Sequence, residues 1–337
     1  MKARSMNKLT DLRRFINRDN NIVQLLIITA VIFLLMSALE PNKFLRYYNF
    51  ESISFIFPEL GIVAIAMMLA MLTGGIDLSV IGIANLAGIL AGVFFTRLYP
   101  ASPDAGTAAE LMRVAAGVTL ALGVGLIAGT LNGLLIAKVR ITPILATLGT
   151  GQIFTGFCMV LTGGPAIVGF PAWWGFIGNG KILGIAVPLV LFLLVAVAIA
   201  VMLTRTPFGL NLFLIGTNPR AAVFAGLRTE RMVLYSYMLS GTLAALAGIV
   251  LSGRTNAAKS DYGTSYLLQA VLISVLGGTN PAGGKGTVLG VSIAVIALML
   301  LASGFQMMRF SNHLIDFIWG GFLLLVMVIN VLRNRGK

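Results

Sequence analysis

Long, continuous apolar runs are the feature that most constrains this chain. Runs of about 20 residues recur between positions 22 and 332, separated by short polar or glycine-rich stretches. A helix of about 20 apolar residues spans the hydrocarbon core of a bilayer, where only helices and closed barrels satisfy their backbone hydrogen bonds. A barrel would need alternating segments of about 10 residues, and these runs do not alternate. The sequence therefore predicts an all-α polytopic membrane protein.

The composition supports this class. Of the 337 residues, 58% are hydrophobic and 10% are charged, whereas soluble domains average roughly 25% charged residues. The formal net charge of +13 could indicate nucleic-acid binding. In so apolar a chain we attribute it to membrane orientation and to contact with anionic lipid, so we predict the lipid bilayer as a partner and no nucleic acid.

About ten transmembrane helices are predicted. The eighth is short, so we expect it to be broken or to cross only part of the membrane. The predicted spans are approximately 22–39, 53–72, a third that ends near 95, 111–137, 143–161, 182–203, 232–251, 265–276, 287–303 and 314–332. The corresponding domains are a cytosolic N-terminal segment (1–21), a transmembrane domain (22–332) and a cytosolic tail (333–337).

The distribution of basic residues predicts the orientation. Ten spans place both termini on one side, and 16 of the 24 lysines and arginines fall on that side. Excess Lys and Arg mark the cytosolic face. Both termini, and the polar stretch 204–231, are therefore predicted to be cytosolic.

Stretch 204–231 stands out because the sequence on either side of it is strongly apolar. Asn218 can cap a short helix at about 220–225, with Pro219 as its first residue and Gly226 ending it. A short capped helix between two spans is a surface on which another protein can press. We interpret it as a docking site for a motor that the chain lacks. The alternative is an ordinary cytosolic connector.

Two Gly-Gly pairs interrupt the apolar pattern at corresponding places in the two halves. Gly74 and Gly75 precede the third span, and Gly277 and Gly278 precede the ninth. Paired glycine interruptions in transporters often lie near the substrate route. We therefore expect broken or re-entrant helices at these pairs, although glycines also serve simply to let helices pack closely.

The sequence offers few residues or motifs that could bind a metal or a nucleotide. The stretch Gly283–Thr287 lacks the spacing of a Walker A loop, so we predict no ATPase site in this chain. Cys158 and His313 are each the only residue of their type, which leaves no basis for a His/Cys metal cluster or a histidine-based triad. We predict no catalytic residues, no metal and no cofactor bound by this chain. A lipid-processing enzyme would need acids or histidines clustered near one interface.

Several polar residues lie at intramembrane positions. Asp77 could line a substrate path, or Asp77 or Ser79 could cap the third span by accepting hydrogen bonds from its first amides. Side-chain amides could line a pore for an uncharged polyol, or could simply bond neighbouring helices. Our substrate-path candidates are Asp77, Asn85, Gln152 and Gln269; Asn132 and Gln306 are further intramembrane amides.

Four motifs resemble those of bacterial ABC-type sugar permeases of the ribose and galactofuranose group. They run in the family's order between about residues 50 and 332. Positions 73–80 resemble the motif GGIDLSVG, positions 143–150 the fifth-span motif and positions 276–290 the late glycine motif. The family's ATPase-coupling loop matches Thr206, Gly209, Gly216, Asn218, Ala221, Ala222 and Gly226.

This resemblance implies an inner-membrane, multi-pass permease subunit that translocates a monosaccharide. It implies a second permease copy, identical or different, and a periplasmic sugar-binding protein. It also implies two cytosolic ABC ATPase subunits that bind ATP and Mg²⁺, so the chain itself would not be an enzyme. The helix near 220–225 would transmit the ATPase motion during alternating access.

The sequence departs from the family pattern at two places. Ile81 stands before Gly82 where members often have glycine directly after the valine, and residues 266–270 replace an acidic run. The cargo therefore stays open among ribose, Lsr-type autoinducer sugars and other pentoses or hexoses. An ion-coupled secondary carrier for a small polar solute is the alternative function, although the few paired intramembrane charges count against it.

Overall fold

The computed structural model describes residues 20–100 and 106–335. These residues are mostly helical, with four two-residue strands. The elements are α1 (Asn20–Leu39), α2 (Pro41–Phe44), α3 (Tyr47–Leu72), α4 (Val80–Val93), a π-helix (Phe94–Leu98), α5 (Thr107–Ala137), α6 (Pro143–Thr162), β1 (Ile167–Val168), α7 (Ala172–Asn179), β2 (Lys181–Ile182), β3 (Ile185–Ala186), α8 (Val187–Arg205), α9 (Pro207–Thr217), α10 (Pro219–Phe224), α11 (Thr229–Thr255), β4 (Ala257–Ala258), α12 (Tyr266–Leu276), α13 (Val288–Met307) and α14 (Asn312–Arg335).

Within the described ranges, eight helices are long and apolar enough to cross a membrane. They confirm the all-α polytopic class. The predicted eighth span is only the 11-residue helix α12, which is about 16 Å long and covers half the apolar thickness. The predicted tenth span, 314–332, lies within the 24-residue helix α14.

Helix α3 forms the centre of the bundle, since nearly all its residues from Phe57 to Leu72 are buried. It packs against α8, α11, α12 and α13. Helix α11 packs most closely on α5, where glycines let the two backbones approach. A side chain on Gly129 would overlap the carbonyl oxygen of Tyr237, and one on Gly241 would overlap that of Gly125. Small residues at such crossings are typical of membrane bundles.

The two ends of the bundle carry different structures. At one end the last residue of α3, Leu72, accepts a hydrogen bond from Gly284 N at 3.1 Å. We call this the α10 end, because α9 and α10 lie there. The opposite end carries α7 and the strand pairs β1–β4 and β2–β3, both antiparallel.

Several boundaries differ from those predicted. Helix α9 precedes the short helix predicted at about 220–225, and α7 lies between the predicted fifth and sixth spans. Residues 1–19, most of the predicted N-terminal segment, and residues 336–337 lie outside the described residues. Positions 333–335 of the predicted tail continue α14.

Candidate functional site

Stretch 204–231 folds into two short helices joined by a cap. Thr206 caps α9 by accepting from Gly209 N at 3.4 Å, and the hydroxyl of Thr206 donates to the carbonyl of Met202 at 2.6 Å. Asn218 caps α10 by accepting from Ala221 N at 3.0 Å. Each cap is followed by proline, which needs no amide acceptor at the first helical position. The capped helix predicted from sequence is confirmed.

Helix α10 ends at Phe224, and Gly226 closes its last turn as predicted. Its φ of +80° lies in the left-handed region, which glycine enters without the steric cost that a side chain brings. The amide of the next residue, Leu227, donates to the carbonyl of Ala222 at 3.0 Å. This closure is the usual way in which a helix end satisfies its last carbonyls.

The exposed side of α10 carries large apolar side chains as well as Arg220. The side chain of Phe224 is 91% exposed and that of Val223 is 57% exposed, whereas Ala222 is buried and holds the helix against the bundle. Ala221 is exposed beside them. Sequence reasoning missed Phe224 and Val223. The signal was available, because two large apolar residues follow a cap inside an otherwise polar stretch.

Glycines bring stretch 204–231 into contact with the end of α3 and with the loop before α13, at a place that we call the glycine junction. A side chain on Gly216 would overlap the carbonyl oxygen of Leu72 and the amide nitrogen of Gly284. A Cβ on Gly74 would lie 3.2 Å from the carbonyl oxygen of Ala282. Backbone from α9, the end of α3 and the loop before α13 therefore meets without intervening side chains.

The other predicted helix-break glycines lie nearby with separate contacts. Gly75 packs against Pro143 and Tyr237. Gly277 packs on the first turn of α13, and a Cβ there would lie 2.7 Å from Val291 N. Gly278 faces the side chain of Asn21. Gly209 packs against the backbone of Leu203, at the turn between α8 and α9.

Asp77 sits within a buried network of hydrogen bonds. Its Oδ1 accepts from the amide of Ser79 at 3.1 Å and from the Ser79 hydroxyl at 2.6 Å, and its Oδ2 accepts from Ser240 at 2.8 Å. Asn132 donates to Ser79 Oγ at 2.7 Å and accepts from Thr150 at 2.6 Å. The network joins the start of α4 to α5, α6 and α11, so the buried polar groups satisfy one another.

The four substrate-path candidates are not brought together. Asp77 is fully buried within its network. Asn85 is buried, and its amide donates to the carbonyls of Ser260 and Tyr262 at 3.0 and 2.9 Å. Gln152 is exposed on the outer face of α6, and Gln269 is half-buried on α12. Their role in a substrate path stays a prediction.

A charged cluster, which sequence reasoning missed, lies between Asn85 and the end of the bundle opposite α10. The carboxylate of Glu59, on α3, accepts two hydrogen bonds from Arg254, from Nε at 3.0 Å and from Nη2 at 2.8 Å. The hydroxyl of Tyr266 donates to the same carboxylate at 2.6 Å. A cleft of about 10 Å³ adjoins the cluster, with Glu59, Asn85, Tyr262 and Tyr266 among its lining residues. That volume holds roughly one water molecule.

In the sequence, Glu59 is an acid within the predicted span 53–72, and nothing there pairs it with Arg254. Within the described ranges, no group of three or more His, Cys, Asp or Glu side chains is placed to hold a metal ion.

Comparison with known proteins agrees with these features. Residues 49–328 match the family described as "Branched-chain amino acid transport system / permease component". The autoinducer 2 import system permease protein LsrD of Yersinia enterocolitica is 34% identical over 275 residues, which cover 80% of this chain and 79% of that protein. No solved structure matches the chain.

Two further relatives extend the match. The ribose import permease protein RbsC of Bacillus subtilis is 34% identical over 304 residues, covering 89% of this chain and 87% of RbsC. LsrD of Escherichia coli K12 is 33% identical over 311 residues, covering 90% of this chain and 89% of that protein. The chain therefore belongs to this family of permease components, which includes the ABC-type permeases that its motifs resemble, and it is a multi-pass protein of the inner membrane.

Proposed function

We propose that this chain is the membrane-spanning subunit of an ABC importer for a monosaccharide, either a ribose-like pentose or another simple sugar. The relatives named as importers of ribose and of autoinducer 2 support a sugar rather than the branched-chain amino acid of the family description. They match more than three quarters of the chain. The few polar groups along the bundle also suit an uncharged cargo.

The observation that carries the proposal is helix α10. It is capped at its start, closed by a glycine at its end and exposes Phe224 beside basic residues. An exposed aromatic side chain on a fixed helix is a typical anchor for a partner pocket. We infer that the pocket belongs to a cytosolic ABC ATPase subunit, which binds ATP and Mg²⁺ in place of this chain.

The remaining partners follow from the same assignment. A second permease copy, identical or different, would complete the translocation route, and a periplasmic sugar-binding protein would deliver the cargo. Closure of the ATPases would displace α10, and the glycine junction at Gly216 would pass that displacement to α3 and to the loop before α13. The cytosolic side of α10 and the roles of the other loop residues are parts of this proposal.

Uptake of radiolabelled sugar tests the function. The chain is produced with its ATPase and binding protein in a bacterial host that lacks other ribose importers, and ribose, xylose, glucose and leucine are compared. We expect saturable uptake of at least one sugar that needs an ATPase able to hydrolyse ATP and that survives a protonophore. Uptake by the chain alone, abolished by the protonophore, would establish an ion-coupled carrier instead. Uptake of leucine and of no sugar would contradict the cargo.

Gly226→Pro tests the coupling role in the same assay. Proline fixes φ near −65°, so it cannot adopt the +80° of Gly226. We expect ATP-driven uptake to fall about tenfold or more, because a misaligned helix loses orientation as well as contact. Gly163→Pro is the matched control, since Gly163 also closes a helix at positive φ (+71°) with open space around it. Equal uptake by the two variants would contradict the role of α10.

A further inference from the structure

The cluster of Glu59, Arg254 and Tyr266 lies between the middle of α3 and the end of the bundle opposite α10. Glu59 lies about halfway along α3 and is 1% exposed, while Arg254 belongs to the last turn of α11. The guanidinium therefore reaches back from the end of its helix to meet the carboxylate. Ser240, which bonds Asp77, precedes Arg254 by 14 residues on α11, or about 21 Å of helix. The cluster is thus a separate layer from the Asp77 network.

Three elements are tied together by this one carboxylate. Glu59 stands on the central helix α3, Arg254 ends α11, and Tyr266 opens the short helix α12. The chain between Arg254 and Tyr266 includes the loop whose carbonyls, at Ser260 and Tyr262, bind Asn85. Releasing the carboxylate would free the end of α11 and the start of α12 from α3.

Packing alone does not require charges here. A buried ion pair gains little over well-packed apolar residues of the same volume, because its desolvation offsets its attraction. The neighbouring side chains instead have the chemistry of a sugar site. A carboxylate and a side-chain amide bind hydroxyl groups, and the rings of Tyr262 and Tyr266 offer faces for the apolar side of a sugar.

We propose that Glu59, Arg254 and Tyr266 form a latch that closes the bundle at the end opposite α10, and that the cleft beside it contacts a polyhydroxylated cargo once the latch opens. The cleft of about 10 Å³ is far too small for a sugar while the latch is closed. The cargo's hydroxyls would take over the hydrogen bonds to Glu59 that Arg254 and Tyr266 release. This cargo assignment rests on the proposed sugar transport; the latch itself does not.

Cysteine labelling measures the latch without any transport. The reporter is Ala247→Cys, at a cleft residue that is 2% exposed, in a Cys158→Ser background that removes the natural thiol. A membrane-impermeant maleimide is applied to the assembled importer in proteoliposomes, from the side opposite the ATPases. We expect slow labelling with the latch intact and roughly tenfold faster labelling after Glu59→Gln, since charge-assisted hydrogen bonds are lost.

Two further variants keep the test falsifiable. Tyr266→Phe removes one hydrogen bond and leaves the ring, so labelling should rise about threefold; it serves as the test if Glu59→Gln does not fold. Asp261→Asn is the matched control, because it breaks the exposed Lys259–Asp261 pair in the same loop. Labelling at one rate in the reporter background, Glu59→Gln and Tyr266→Phe, all folded, would overturn the latch.

Protection from labelling tests the cargo site. The Ala247→Cys reporter with Glu59 unchanged is labelled while ATP turnover by the ATPases opens the latch. Excess ribose, xylose or glucose should then slow labelling, and leucine should not. Protection by leucine alone, or by none of the solutes, would overturn the cleft as a sugar site. Sugar uptake by the unmodified importer is measured in parallel. Faster labelling of the latch variants would support the latch even if the unmodified importer took up no sugar. The absence of sugar uptake would then contradict the proposed function alone.

Discussion

The two ends of this bundle are held together by different kinds of contact. At the α10 end, backbone meets backbone at Gly216, Leu72 and Gly284, with no side chain between them. At the other end, the side chains of Arg254 and Glu59 close the structure. The backbone contact is fixed by close packing. The side-chain hydrogen bonds, by contrast, can be replaced by bonds to other partners.

This difference suits the proposal that the ATPases move one end of the bundle and that the other end opens to the cargo. Close backbone packing has low compressibility and transmits displacement. Charged hydrogen bonds can be replaced by a ligand's polar groups at little net cost. Substitutions in the tightly packed parts of the bundle should therefore change its stability more than substitutions on exposed surfaces.

The largest effect is expected at the glycine junction. Gly216→Ala places a methyl group against the carbonyl oxygen of Leu72 and the amide of Gly284, so overpacking should cost about 3 kcal/mol. The melting temperature of the purified chain in detergent should fall by several degrees. Gly123→Ala is the control, because nothing lies within 4 Å of that position. Melting of Gly216→Ala at the wild-type temperature would show that the junction is not tightly packed.

Removing the Asp77 carboxylate should have the next largest effect. Asp77→Ala leaves the amide and hydroxyl of Ser79 and the hydroxyl of Ser240 without their acceptor. Buried donors without partners should lower the unfolding free energy by about 2 kcal/mol. Ser240→Ala removes one of these bonds and should cost about 1 kcal/mol. Equal melting temperatures for the two variants would show that the Asp77 network does not hold α4 against α11.

Loss of the α10 cap should have a smaller, local effect. Asn218→Ala removes the acceptor of the Ala221 amide and should destabilise the helix by about 1 kcal/mol. Hydrogen exchange measured by mass spectrometry should then quicken about fivefold across α10 and not in the α3 core. Asn218→Ser keeps a capping oxygen and should exchange like wild type. Unchanged exchange in Asn218→Ala would mean that packing, not the cap, holds α10.

The smallest effect on stability, with a clear effect on binding, is expected at Phe224. Because its side chain is 91% exposed, Phe224→Ser should change the unfolding free energy by less than about 0.5 kcal/mol. Co-purification of the ATPase should nevertheless fall about tenfold, as for a loss of an interface anchor. Leu183→Ser is the control, since Leu183 is 98% exposed at the opposite end. Equal loss in both variants, or in neither, would contradict α10 as the docking helix.

The sequence by itself determined the class of the protein and the local structure around helix α10. Apolar runs long enough for a bilayer have few alternatives to a helical bundle, and helix α10 was located from Asn218, Pro219 and Gly226. These signals act within a few residues of the chain, so they survive any arrangement of the helices. The short helix α12 was foreseen for the same reason.

Only the tertiary structure decided which distant residues meet. Glu59 and Arg254 are 195 positions apart, and their pairing depends on how α3 and α11 are rotated and tilted against each other. The rotation and tilt of the helices also place Gln152 on the outer face of α6 and bury Asp77. Helices with apolar residues on every face give no periodic signal of which face is buried, so close packing of the whole bundle fixes that choice.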